Sequence, residues 1–274
     1  MIHVSASGCS IPPLALDRRE PSPKSRWIRA KKIEGFYIAR LKKLAAYIEM
    51  ILRQYDPQRP EANGWIVDSL NWYSETIEPW ARSVGERMIA EIAARDKVAW
   101  RQTAAEMGRV LHRELDTAPL GRVVRERLDE QVSLIKSIPR EAAQRVHKIS
   151  LESAYTGERW ETVAKKILEG GQVSRSKAVL IARTETGRTL TEITKARAEA
   201  VGSEYFRWNT SRDADVRASH RVLDGKIFRW DTPPVCDPPN HRALPSSIWN
   251  CRCTATPLIP MPGETNERFR AEAA

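Results

Sequence analysis

Tyr205-Phe206-Arg207-Trp208-Asn209, Lys226-Ile227-Phe228-Arg229-Trp230 and Trp249-Asn250-Cys251-Arg252-Cys253-Thr254 are the three runs that decide how this chain is read. The first two are short and rich in aromatic residues, as strands are, and all three lie between Ser203 and Pro260. Asp224-Gly225 stands just before the second run, and this dipeptide accepts the positive φ of a tight turn. Three strands are therefore expected, at Tyr205–Trp208, Lys226–Trp230 and Trp249–Pro257, forming a small antiparallel sheet against the preceding helix. Asp213 is placed to cap one helical turn carrying Arg217 and His220, and a proline-rich loop follows from Thr232 to Pro245.

Upstream the hydrophobic period is helical. Tyr37, Leu41, Leu44, Ile48, Ile51 and Tyr55 recur at steps of four and three, the seam of an amphipathic helix that Asp56-Pro57 and Arg59-Pro60 end. Further helices are expected at 61–78, Trp80–Glu114, Leu120–Lys136, Pro139–Tyr155 and Glu158–Glu169. The last of these stops at Gly170-Gly171, and a final helix runs from an N-cap at Ser174 to Val201. The fold class expected is mainly α, long helices followed by a short antiparallel sheet in a small C-terminal α+β module. Of nine tryptophans, Trp65, Trp72, Trp80, Trp100 and Trp160 fall one or two per expected helix, which suits packing anchors better than a base-stacking platform.

The chain has 274 residues, 41% hydrophobic and 29% charged, enough for one large domain or two modest ones and too apolar for disorder. No apolar run approaches the ~20 residues needed to span a bilayer, and Met1–Ser10 lacks the pattern of a secretory signal. Four cysteines spread as one plus three suit reduced thiols rather than a secreted disulfide framework. The net charge of +10 favours a polyanionic neighbour. Residues 1–60 hold twelve Lys/Arg against five Asp/Glu, a surplus of seven. Arg18, Arg19, Lys24, Arg26, Arg29, Lys31 and Lys32 lie among prolines, so 1–32 is read as an extended basic arm that would meet double-stranded DNA through its phosphates.

The chemistry-bearing residues gather near the end. On a strand Cys251 and Cys253 project to one face and Arg252 to the other. With His220 and either Cys236 or His241 they supply four ligands for a structural zinc, the only cofactor considered. The same residues also suit a pair of reduced thiols with His220 hydrogen-bonded to backbone near the Asp-Gly turn. Asp215, His220, Asp224, Asn240, His241 and Asn250 superficially suggest a metal nuclease, but no histidine follows Asn250 to complete one. No glycine-rich phosphate loop or nucleophile elbow is present, and no catalytic residue is assigned. Upstream, Arg183 and Glu185 are two apart and do not face one another on a helix, so each needs its own partner if buried.

Ala182-Arg183-Thr184-Glu185 on a helix, then Arg212-Asp213, Val216-Arg217-Ala218-Ser219-His220, Leu223-Asp224-Gly225 and Asn250-Cys251-Arg252-Cys253, resemble the Mu F-like head morphogenesis proteins of tailed bacteriophages. The resemblance covers roughly 140–260, with the β-rich module at 203–260, a helical region at 33–139 before it and a tail at 261–274. It implies that Arg183, Glu185, Asp213, Arg217, Asp224, Gly225, Asn250 and Arg252 belong to the structural motif. It also implies a non-enzymatic minor head protein of a phage or prophage, made in the host cytoplasm and sited in the virion head at the portal vertex. Its expected partners are the portal protein, scaffold or major capsid protein and packaged DNA, without a membrane, and its expected role is in procapsid assembly and DNA packaging or ejection. The alternatives are a non-specific DNA-binding protein and a metal-dependent nuclease.

Overall fold

The computed structural model describes residues 30–57, 59, 61–107, 112–237, 239–260 and 264–273. Six helices come first: α1 Lys31–Gln54, α2 Ala62–Thr76, α3 Glu78–Glu106, α4 His112–Thr117, α5 Leu120–Thr156 and α6 Trp160–Ala200. They lead into β1 Tyr205–Asn209, α7 Ala218–Arg221, β2 Ile227–Arg229, β3 Val235–Asp237, β4 His241–Arg242, β5 Thr254–Leu258 and α8 Glu267–Glu272. Long helices followed by short antiparallel strands are the class the sequence led us to expect. No described helix is long and apolar enough to cross a membrane.

The seam of α1 is buried from Tyr37 through Leu52 and joins residues of α2, α3, α5 and α6 in one hydrophobic core. Two helix boundaries expected from the sequence are absent. Gly170 and Gly171 lie inside α6, where the missing side chains let α1 approach. A Cβ on Gly171 would sit 3.1–3.2 Å from the Glu49 side chain, and one on Gly170 would sit 3.5 Å from Leu52. Ser174, expected as an N-cap, instead donates its hydroxyl to the Gly170 carbonyl one turn back, at 2.9 Å. Pro139 likewise stands inside α5 rather than at the start of a helix. It removes the amide that the carbonyl of residue 135 would have accepted. Hydroxyl groups serve the carbonyls on either side, Ser137 donating to Leu134 at 2.9 Å and Ser74 of α2 to Lys136 at 2.9 Å. The boundary drawn between 139 and 140 therefore falls within one continuous helix.

After α6, Gly202 at φ 80 turns the chain into β1. The three-stranded sheet has the order β2-β1-β5, all antiparallel, with Phe206 opposite Phe228 and Trp208 opposite Ala255. One face carries Phe206, Trp208 and Phe228 into a second core with Trp100 of α3, Ala198 of α6 and the cysteines. The other face, Tyr205, Ile227 and Leu258, is covered by Phe269 of α8. Part of the segment taken for a tail thus closes the sheet. The proline-rich loop also contains structure the sequence did not announce, β3 pairing with β4 as a two-stranded ribbon. Trp65 and Trp72 depart from the packing-anchor reading, remaining 58% and 65% exposed on α2.

Candidate functional site

His220, on the single turn of α7, is buried and meets both cysteines of the Cys-x-Cys pair. Its Nδ1 lies 3.5 Å from Cys251 Sγ and 3.4 Å from Cys253 Sγ. The strand expected at these cysteines begins only at Thr254, so pleating does not bring them together. The chain instead turns at Asn250, whose φ is 59, and runs extended past His220. Ser246, also at positive φ, anchors this passage by donating its hydroxyl to the Cys253 carbonyl at 2.6 Å. Trp208 closes the group, its ring edge-on to the imidazole at 5.4 Å between centroids.

The three donors suit a metal ion chemically and in spacing. All lie within 4.8 Å of one another. Tetrahedral zinc, with Zn–S about 2.3 Å and Zn–N about 2.0–2.1 Å, sets N···S edges of about 3.5 Å, the separation present here. The sequence offered two residues for a fourth position, and the structure separates them. Cys236 on β3 is fully buried, whereas His241 is exposed on β4 and meets Cys236 through its backbone carbonyl, 3.6 Å from the thiol. Cys236 is also the leading influence raising His220 to about 9, followed by Cys251, against the opposing effect of burial. Cys251 is held down at about 4 by the hydrogen bond from Cys253 and then by His220, again against burial, and Cys253 is pushed upward by Cys251 and by burial. Without a metal, these shifts favour a Cys251 thiolate beside a protonated His220 and a protonated Cys253.

Glu185 of α6 points the other way, into the helical core, and is fully buried. Gln131 of α5 donates Nε2 to it at 2.8 Å and accepts from the Tyr37 hydroxyl at 2.7 Å. Arg188 lies 3.1 Å and Arg127 3.7 Å from its carboxylate. Arg188 also reaches Glu130 at 2.8 Å and the Ser247 carbonyl at 2.6 Å, so the same network ties the helices to the loop before the cysteines. Tyr37 is driven far up in pKa by burial and by Glu185, so it remains a neutral donor. Tyr37, Gln131, Arg127 and Arg188 were not found by sequence reasoning; their signal was only a polar residue on an apolar helix face.

The remaining motif residues sit outward of the thiols. Arg183 is half-exposed on α6 and 3.8 Å from Glu34. Arg252 pairs with Asp213 at 2.7 Å and Asp215 at 3.2 Å, and Arg217 donates to the Trp249 carbonyl at 2.9 Å. The Asn250 amide donates to the Thr184 hydroxyl at 3.1 Å. Asp213 accepts the amide of Asp215 rather than capping α7. Asp224 accepts from the Thr210 amide at 2.8 Å and pairs with Arg212, while Gly225, at φ 79, donates its amide to the Trp208 carbonyl. Arg18, Arg19, Lys24, Arg26 and Arg29 lie outside the described residues; Lys31 and Lys32 are exposed at the start of α1.

Residues 144–256 match the family model described as Phage Mu protein F like protein. An uncharacterized protein of Haemophilus influenzae is 32% identical over 129 residues, covering 47% of this chain and 28% of that protein. Minor head protein GP7 of Bacillus phage SPP1 is 29% identical over 158 residues, 52% of this chain and 51% of that one. NAD(+)--arginine ADP-ribosyltransferase EFV of Enterococcus faecalis is 29% identical over 128 residues, 43% of this chain and 26% of that one. The chain spans about a quarter to a half of the length of these curated relatives. No solved structure matches it significantly. The thiol cluster, Glu185 and the outward arginines all fall inside the matched segment, and that segment is similar to the Phage Mu protein F like family.

Proposed function

We propose that this protein is a structural component of a tailed-phage or prophage head that docks on the portal and acts in procapsid assembly and in packaging or ejection of DNA. The observation that carries the reading is the match over 144–256 together with the SPP1 minor head protein, whose likeness covers half of both chains. Two exposed tryptophans, Trp65 and Trp72, stand seven residues apart on α2 and supply the kind of aromatic anchors that protein interfaces bury. The Enterococcus relative is matched over about a quarter of its own length. With so small a share, ADP-ribosyl transfer is not extended to this chain.

Co-purification with the portal protein of the same phage tests the reading. Deleting the helical region would be uninformative, because α1 and α6 share one core. Trp65→Ser with Trp72→Ser leaves that core intact. Retained fold with lost portal capture supports the docking; no capture by the unaltered chain under assembly conditions sinks it.

Within the same reading, His220, Cys251 and Cys253 hold a structural zinc, with the buried Cys236, outside their 4.8 Å group, offered for the fourth place. The support is the 3.4–3.5 Å spacing about Nδ1 and the buried Cys236 thiol. Zinc would tie the turn of α7 to the segment that enters β5. Elemental analysis of protein purified without added metal decides it, and a metal-to-protein ratio near zero overturns it.

A further inference from the structure

In Asn250-Cys251-Arg252-Cys253 the cysteines turn inward to His220, and the alternate residues turn outward to a cleft. Arg183 of α6, Asp215 and Arg217 of the loop before α7, and Asn250 and Arg252 line this open concavity of about 460 Å³. Three guanidinium groups against one carboxylate leave it a formal charge of +2. The charges are only partly answered. Arg217 is engaged by a neutral carbonyl and has no carboxylate partner among the described residues. Arg252 meets both of its carboxylates through Nη2 alone, and three of the five donors of the fork belong to its other nitrogens. Arg183 is separated from Glu34 by 3.8 Å, longer than a hydrogen bond.

The cleft is also built before any ligand arrives. Three chain segments form it, and each is tied to another at its mouth: Asn250 to Thr184 beside Arg183, Arg217 to Trp249, and Arg252 to the loop at Asp213 and Asp215. The inward thiols fix the backbone on both sides of Arg252. Trp249, next in sequence to Asn250, is 39% exposed, with Lys177 5.7 Å from its ring centroid and paired with Glu141 at 3.2 Å.

We propose that this cleft binds a phosphate of a nucleic-acid backbone. Converging planar forks suit a tetrahedral oxyanion, whose several oxygens accept from more than one arginine, better than a single carboxylate that one fork satisfies. The formal charge of +2 on the cleft lining attracts a polyanion on its own. This rests on the cleft alone and stands or falls separately from the head-protein reading and from the basic arm.

Anisotropy of a labelled DNA duplex, titrated with the full chain at several salt concentrations, tests it. Arg217→Gln should weaken binding by roughly tenfold near ~0.1 M salt and lower the salt slope by about 1. Asp215→Asn should do the opposite and tighten binding, an effect that a merely damaged fold would not produce. The same two shifts should persist when Arg18, Arg19, Lys24, Arg26 and Arg29 are changed to Gln. If both variants bind duplex as the parent does, the proposal is overturned. It is overturned equally if inorganic phosphate or a poly-glutamate peptide binds in an Arg217-dependent way while duplex binding is indifferent to Arg217.

Discussion

Glu185 lies where water cannot reach, and its neighbours rather than solvent meet its carboxyl group. Removing one partner of such a set leaves the others buried and uncompensated. Glu185→Ala should cost about 3–5 kcal/mol in chemical denaturation, and Glu185→Gln, which keeps an acceptor for Gln131, should cost less. The buried pair of Asp96 and Arg197, 2.6 Å apart and joined by Thr194, predicts a loss of similar size for Asp96→Ala. The thiol cluster gives a pH prediction for metal-free protein. Cys251 is lowered to about 4, so its contribution is full above the ordinary thiol value near 9 and fades as pH falls through 4. His220 is raised to about 9, so its contribution is full below 6.5 and is lost as pH rises through 9. Thermal denaturation should therefore show the deficit of Cys251→Ser shrinking toward pH 4 and that of His220→Ala shrinking toward pH 9. Residue types made the His and Cys cluster legible in the sequence, and so did the need of Glu185 for a distant partner. Which partner it found was not legible, because Gln131 lies 54 positions away and nothing local marks it.

At the scale of elements, the sequence rules that failed were punctuation rules. Glycine and proline end helices when the local chain decides, and here tertiary contact decided: Gly170-Gly171 admits α1, and hydroxyl groups surround the gap made by Pro139. The amphipathic seam of α1 was legible because it is written at every turn. Strand positions were legible where aromatic residues marked them, and β3 and β4 were hidden by the prolines around them. Gly187 makes the same point with a testable magnitude. A Cβ there would lie 2.8 Å from both Cβ and Oγ of Ser246, itself held at φ 65. Gly187→Ala should destabilise by about 1–3 kcal/mol through overpacking. Ser246→Gly in the same chain should recover part of that loss, since glycine removes the colliding atoms and accepts the backbone angle. A double-mutant cycle with no coupling between the two positions would refute the contact.

For the whole molecule, the two cores differ in what sustains them. The helical core is large and continuous, whereas the terminal module carries the thiol cluster, so under the proposed zinc reading metal removal should act on the module more than on the helices. Chelation is expected to change the near-ultraviolet circular dichroism of Trp208, edge-on to His220, and to lower the melting temperature while the far-ultraviolet helical signal at ambient temperature persists. Restored zinc should reverse both, and an unchanged Trp208 signal would argue against a metal in this place. One element belongs to both cores. α6 has 41 residues, a rod of about 60 Å at 1.5 Å per residue. Its first half lies against α1 and its second half carries Arg183, Thr184 and Ala198 to the module. Over that length a tilt of one degree displaces the far end by about 1 Å. A partner that leans on the helical stack would thus work a lever, and the module packed at its second end would register the load.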